Sequence, residues 1–447
     1  MNHNEDGALR FPQGFRWGTA TAAHQVEGYN TNNQWWAWEQ QPGRIANGDT
    51  SGAACDWWHN AERDFDYMVQ LCQNAHRLSV EWSRIEPQEG RFDTAALERY
   101  RALLKALRER DIEPMVTLHH FTNPLWLEEQ RAWLKADRIA ALFRRYVHRV
   151  VAALGDLCDL WCTVNEPNVY AVMSYFGARM PPGWTDMGAA ITVMQNLLLA
   201  HAVAYEALHE AQPSARVGLA HHMRYFQGLR RNGLDGLAAR MISGIFNDSV
   251  LLALLHGRWH WILWRGAPVS ARKLRGTLDW IGLNYYTRQR IAFDHTGGQA
   301  LFSTLAITPG AITSDYDFGE IYPEGMSHLL RQLARYRLPI FITENGLPDH
   351  DDDLRPMFIV RHLRALWEMI QLGCDVRGYY HWSLVDNFEW SEGWRMRFGL
   401  IEMDPRTQQR TLRQSAWLYR DISRDNAITE ATIRLHVPEL VSQVFPR

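Results

Sequence analysis

Short apolar runs alternate along this chain with longer amphipathic ones. The apolar runs cover residues 15–19, 76–81, 114–118, 160–164, 216–220, 280–284, 340–343 and 378–382. Each is about strand length and rich in β-favouring residues, and several end at Pro, Gly or Asn. Between them lie stretches with helical spacing, for example 60–73, 94–110, 135–153, 187–211, 323–336 and 354–372. Strand alternating with helix predicts right-handed βα units and a parallel sheet buried on both faces. Eight such units fit a closed (β/α)8 TIM barrel, an α/β fold spanning residues 1–447 as one domain, with about residues 1–10 as a flexible tail. The alternative is an open doubly wound sheet. That fold usually carries a glycine-rich phosphate loop after its first strand, and none is present. A long irregular stretch, 293–319, follows the sixth run and reads as a loop over the barrel mouth.

Two of the runs lead straight into a glutamate. One reads Leu160-Trp-Cys-Thr-Val-Asn-Glu166-Pro167, the other Pro339-Ile-Phe-Ile-Thr-Glu344-Asn345-Gly346. Barrel enzymes place their chemistry at the carboxyl ends of the strands. A pair of carboxyl groups there suits glycosidic bond cleavage, which needs one group as acid and another as base or nucleophile. The other runs also deliver polar or aromatic residues to the same rim: His24-Gln25 after the first, Arg77 and Glu81-Trp82 on the second, His119-His120-Phe121 on the third, Asn284-Tyr285-Tyr286 on the sixth and Trp382 on the eighth. A sugar carries several hydroxyls that both donate and accept, and such a ring of side chains matches it.

Composition narrows the function classes. Of 447 residues 46% are hydrophobic, enough for a large core, and the net charge of −3 offers no electrostatic footprint for nucleic acid or an anionic membrane. The start Met1-Asn-His-Asn-Glu-Asp6 lacks a basic, apolar leader, and no run of about 18 apolar residues predicts a membrane span. The five cysteines, Cys55, Cys72, Cys158, Cys162 and Cys374, are odd in number and widely spaced. They read as free thiols in a reducing compartment, so the expectation is a soluble cytoplasmic protein. Twenty tryptophans lean slightly toward sugars, whose apolar ring faces pack on flat aromatics. The segments Trp35-Trp-Ala-Trp38 and Trp57-Trp58 read as packing residues.

The rim residues sit within longer blocks that resemble glycoside hydrolase family 1, the β-glucosidase and β-galactosidase family. The blocks are Phe15-Arg-Trp-Gly-Thr-Ala-Thr-Ala-Ala-His-Gln-Val-Glu-Gly28, Ala54-Cys-Asp56, Arg77-Leu-Ser-Val-Glu-Trp-Ser-Arg-Ile-Glu-Pro87, Thr163-Val-Asn-Glu-Pro167, Asn284-Tyr-Tyr-Thr287, Glu320-Ile-Tyr-Pro-Glu-Gly325, Ile342-Thr-Glu-Asn-Gly346 and His381-Trp-Ser-Leu-Val-Asp-Asn-Phe-Glu-Trp390. They cover nearly the whole chain in the family's order. The resemblance implies a retaining β-glycosidase acting on terminal non-reducing β-D-glucosyl, galactosyl or fucosyl units of oligosaccharides such as cellobiose, or of aryl and alkyl glycosides, without cofactor or metal.

By the same resemblance Glu344 is the nucleophile and Glu166 the acid/base, with Arg77, Asn284 and Tyr286 around them. Gln25, His120, Phe121, Asn165, Trp382, Glu389, Trp390 and Phe398 are implied to contact substrate, with Trp382 as the stacking platform and Asn165 on the sugar 2-hydroxyl. Arg77 and the Tyr286 hydroxyl are expected to hold Glu344 ionised. Its charge is then expected to keep Glu166 protonated, the carboxyls lying about 5–5.5 Å apart. Family members acting on 6-phosphorylated sugars have a small polar residue at the Glu389 position and a lysine where this chain has Met396, so an unphosphorylated glycone is expected. Phe121 and Phe318-Gly319 depart from the family's commonest pattern, at the rim where the aglycone is chosen. Two rivals stand beside this reading: a non-catalytic carbohydrate-binding barrel, and a metal-dependent barrel hydrolase. Against a metal site, His119-His120 and His221-His222 are adjacent on strands and point to opposite faces, so neither pair chelates as a unit. The acidic run 349–353 reads as a solvated loop ahead of a helix.

Overall fold

Eight parallel strands close into a barrel in a computed structural model that describes residues 7–263, 269–297 and 303–446. They are β1 (Arg16–Ala20), β2 (Ala75–Ser79), β3 (Glu113–His119), β4 (Leu160–Asn165), β5 (Arg216–His222), β6 (Trp280–Asn284), β7 (Ile340–Asn345) and β8 (Val376–Trp382). Each pairs with its sequence neighbours and β8 pairs with β1, as Tyr379 with Trp17 and His381 with Thr19. The expected closed barrel is thus the observed one.

The outer ring is α1 (Trp57–Gln70), α2 (Thr94–Arg108), α3 (Ala136–Leu154), α4 (Met187–Ala211), α5 (Ser249–His256), α6 (Pro323–Leu333), α7 (Arg355–Gln371) and α8 (Gln414–Asp425). The sequence-based helices match these within a few residues, and local chemistry sets the ends. Asp93 accepts from the N–H groups of Ala95 and Ala96 at the start of α2, and Asp186 does the same for Gly188 and Ala189 at α4. Asp349, from the acidic run, accepts from the N–H groups of Leu354 and Arg355 and so caps α7. Helix α4 and the helical segment Gly233–His256 are long and apolar enough to cross a membrane by length and composition. Two-thirds of the apolar window in α4 is buried, in a helix packed against α3 and the barrel.

Two expectations need amending. The fold begins before residue 10, because Leu9 and Arg10 pair with Ile428 and Ala427, and Trp367 donates to the Arg10 carbonyl. The stretch 293–319 is not irregular throughout. Ser303–Ala306 pairs antiparallel with Arg288–Phe293, which pairs in turn with Tyr225–Gly228, so a small three-stranded sheet stands over the barrel mouth. Residues 298–302 of that stretch lie outside the described residues.

Candidate active site

The ladders slip at both strand ends that carry a glutamate. Between β7 and β6 the register shifts after Ile342, so Glu344 stands opposite Asn284. Between β4 and β5 it shifts after Cys162, putting Asn165 opposite Ala220. Such irregularities re-aim side chains next to active sites. Glu166 then adopts φ 44°, the left-handed region, immediately before Pro167 starts a short helix. That turn ends the strand and directs the carboxyl into the barrel mouth.

Glu166 and Glu344 line one cavity of about 420 Å3 and are both buried. A continuous hydrogen-bonded chain joins them. Arg77, buried inside the barrel on β2, donates to Glu344 Oε1 at 2.5 Å and to Asn165 Oδ1 at 2.6 Å, while its Nε donates to Thr117 at 3.1 Å. The Asn284 amide donates to Glu166 Oε1 at 2.8 Å and to Asn165 Oδ1 at 3.2 Å. Thr343 fixes that amide's orientation by donating to its Oδ1 at 2.6 Å. The Tyr286 hydroxyl donates to Glu344 Oε2 at 2.6 Å. The planar guanidinium holds one glutamate and the neighbour of the other in a fixed relation, which a flexible ammonium could not do.

The two carboxyl groups form a coupled pair with opposite biases. Burial pushes Glu344 up to about 7, the charge on Glu166 adds to this, and Arg77 and Tyr286 oppose it. Burial also raises Glu166, but His222, Asn284 and Arg77 outweigh it and the net shift is downward. The two directions, Glu344 raised and Glu166 lowered, run opposite to the sequence-based expectation. Burial is the first cause at Glu344, and His222, weighed on sequence only as half of a histidine pair, leads the lowering at Glu166. Its Nδ1 lies 2.9 Å from Glu166 Oε1, and Arg224 Nε–H donates to its Nε2 at 3.2 Å. A guanidinium only donates, so Nε2 accepts, and Nδ1 carries the hydrogen given to Glu166.

At the inner end of the cavity lie His120, Asn165, Trp382, Glu389 and Trp390, with Gln25 behind them. Gln25 Nε2 donates to Asn387, to the Phe388 carbonyl and to Glu389, leaving its Oε1 buried without a partner among the described residues. His120 is bonded to Asn165 through Nε2, and its Nδ1 is likewise unpartnered. Buried polar atoms left open in this way are poised for ligand hydroxyls. Burial pushes Glu389 up to about 8, against lowering hydrogen bonds from Gln25 and Trp382. Trp35 packs against Trp390 at 4.7 Å between ring centroids, so it backs the wall as a packing residue. Phe121 sits 5.3 Å from Trp390, and Phe398 meets Phe318 edge-on at 5.5 Å. The structure therefore brings every residue given a catalytic or substrate-contacting role on sequence to this one cavity or its hydrogen-bonded wall, whereas Glu81, Trp82, His119 and Tyr285 bond elsewhere, to Ser83 and Thr122, Glu86, Asn123 and the Tyr322 carbonyl.

The two histidine pairs are separated as expected of strand neighbours. His119 bonds Asn123 and His221 bonds the Asn247 carbonyl, away from the partners of His120 and His222. Sequence reasoning missed the residues that the loops after β4, β5 and β6 add to the cavity, among them Met173, Phe176, Phe226, Ile245 and Phe246. The one signal in the sequence is the end of β5, the strand that delivers no residue to the predicted rim.

The chain is similar to proteins of known activity. The β-galactosidase of Saccharolobus solfataricus is 31% identical over 479 aligned positions, covering 94% of this chain and 96% of that protein. A β-glycosidase from Pyrococcus horikoshii superposes with a TM-score of 0.88 at 35% identity, covering 96% of this chain and 98% of that one. A β-glucosidase from Thermotoga maritima in complex with glucoimidazole superposes at 0.89 with 29% identity, over 94% of this chain and all of that one. The profile of glycosyl hydrolase family 1 matches residues 8–428, and the chain belongs to that family.

Proposed function

We propose that this protein is a retaining β-glycosidase that removes a terminal non-reducing β-D-glucosyl, galactosyl or fucosyl unit from an O-glycoside. The observation that carries the reading is the pair Glu166 and Glu344, on the ends of β4 and β7, facing one cavity and joined through Arg77, Asn165 and Asn284. β-Galactosidase and β-glucosidase relatives of similar length support the glycone class.

In the first step the Glu344 carboxylate attacks the anomeric carbon. The bond to the leaving oxygen breaks as Glu166 gives that oxygen its proton, and an ester joins the sugar to Glu344. This requires the charge on Glu344 and the proton on Glu166, one of the two arrangements of the pair's single proton. Arg77 and Tyr286 supply the donors that support that charge. Esterification neutralises Glu344. Glu166, now ionised and held by His222 and Asn284, takes a proton from water, whose oxygen attacks the anomeric carbon and releases Glu344. Two inversions return the starting configuration. An acceptor that outcompetes water yields a transglycosylation product instead.

The test is hydrolysis of aryl β-glycosides, with the anomer of the first-formed sugar followed by NMR. The β-anomer is expected first, and Glu344→Gln is expected to abolish turnover while the protein stays folded. Appearance of the α-anomer, near-normal hydrolysis by that variant, or activity lost to EDTA would each overturn the reading.

A further inference from the structure

The cavity has two chemically distinct ends. The inner end presents Gln25, His120, Asn165, Glu166, Glu344 and Glu389, as a sugar with several hydroxyls requires. Beyond Glu166, on the side where the leaving group must lie, the wall is almost wholly apolar. Val169, Met173 and Phe176 come from the segment after β4, and Phe226, Ile245 and Phe246 from the segment after β5. The polar side chains there are few and partly engaged. Arg224 donates to His222 Nε2 at 3.2 Å and reaches Gln289 Oε1 at 3.5 Å, and the Gln289 amide donates to the Ala306 carbonyl at 3.0 Å.

A second sugar in this space would lose water from several hydroxyls and find few partners for them, a penalty of order 1–3 kcal/mol for each group left unpaired. An apolar group would instead be transferred from water onto hydrocarbon, thioether and aromatic surface. The cavity volume of about 420 Å3 lies in the range that encloses a small-molecule ligand. We propose that the preferred substrate carries an extended apolar aglycone, an alkyl or isoprenoid-type chain, seated against Met173, Phe176, Phe226, Ile245 and Phe246, and not a second sugar.

This inference rests on the β-glycosidase reading, and the experiment separates the two. Methyl, butyl and hexyl β-glycosides of the glycone preferred in the aryl panel are compared with cellobiose below micelle-forming concentrations. The alkoxide leaving groups differ little in basicity along the series, so the trend reads contact with the chamber. The expected result is a rise in kcat/KM approaching fourfold per added methylene, the limit for full burial, with the hexyl glycoside ahead of cellobiose. Ile245→Gln is expected to lower the hexyl-to-methyl ratio about tenfold. A flat alkyl series, or cellobiose ahead of the hexyl glycoside, overturns the inference while leaving the β-glycosidase reading in place. If no glycoside is hydrolysed, that reading falls. Calorimetric binding then decides the chamber by the same criterion, tighter hexyl than methyl glycoside in support and equal affinities against. The wild-type series is decisive even if the variant fails to fold.

Discussion

Replacing His222 with phenylalanine tests the protonation logic of the site. The ring lies nearly parallel to Tyr286 at 5.8 Å between centroids and meets Phe246 edge-on at 5.8 Å, and phenylalanine can keep both contacts. What is lost is the Nδ1–H donor to Glu166 at 2.9 Å. Burial raises the Glu166 pKa, and His222 leads the groups that pull it below the ordinary carboxylate range. A hydrogen bond to a charged, buried group is worth about 1.5–3 kcal/mol, and one pKa unit is about 1.4 kcal/mol, so removing it should raise the pKa by about one to two units. Glu166 must be protonated to serve the leaving oxygen. A higher pKa keeps it protonated to higher pH, so the alkaline limb of kcat/KM against pH should move up by about one to two units. The same change weakens Glu166 as a stabilised anion after the first step, so breakdown of the glycosyl ester at low pH should slow. The assay is kcat/KM for an alkyl or unactivated aryl β-glycoside across pH 4–10, with a thermal melt to verify folding. An alkaline limb that stays in place or moves down would refute the assignment of His222 as donor to the acid/base.

Three further outcomes follow from the geometry. Glu166→Ala should lower kcat/KM on alkyl glycosides by roughly 10^2–10^4, the usual share of a general acid, yet retain a fast first step on dinitrophenyl glycosides and then stall as the covalent adduct; equal losses on both classes, in a burst-kinetics experiment, would contradict the acid role. Sugars phosphorylated at the 6-hydroxyl should react at least about a thousandfold more slowly than their parents, because burying a phosphate without a cation costs several kcal/mol and the buried Met396 offers no charge; comparable rates on paired aryl substrates would refute this. Gly346→Ala should destabilise the fold by about 1–3 kcal/mol or more, because a Cβ there falls within the contact distance of the Trp382 backbone carbonyl; a melting temperature within about 1 °C of wild type would show that the chain can give way.

The barrel was legible because its signal is local. Eight short apolar runs separated by helical spacing suffice to predict βα units, and β4 runs almost without interruption from Leu160 to Asn165 as a strand buried on both faces must. Part of the rim was legible for the same reason, since His120, Glu166, Tyr286 and Glu344 each lie one or two positions past the end of an apolar run. Three things were not. The Leu9–Arg10 pairing joins residues more than 400 positions apart, and two residues carry no periodicity. The Ser303–Ala306 strand owes its existence to Arg288–Phe293, since nothing in its own few residues distinguishes it from loop. The protonation bias of Glu166 depends on His222, from another strand, and on Arg224 behind it. A reading confined to the motifs containing the glutamates has no access to that contact.

Glu389 shows how much a charge argument depends on such surroundings. A carboxylate at this position is, on charge alone, expected to repel a phosphate. In the structure it is buried against Trp382 and Gln25 and burial pushes it up to about 8, which favours the protonated form, a hydrogen-bond donor as well as an acceptor. The exclusion of phosphorylated sugars then falls on the apolar, buried Met396 more than on repulsion by Glu389. The two accounts separate experimentally. If repulsion dominates, Glu389→Gln alone admits a 6-phosphoglycoside. If the missing cation dominates, Glu389→Gln lowers activity on the neutral glycone and leaves the phosphorylated one excluded, while Met396→Lys is required before any phosphoglycoside is cleaved. The burial that pushes Glu389 upward and weakens its charge favours the second outcome.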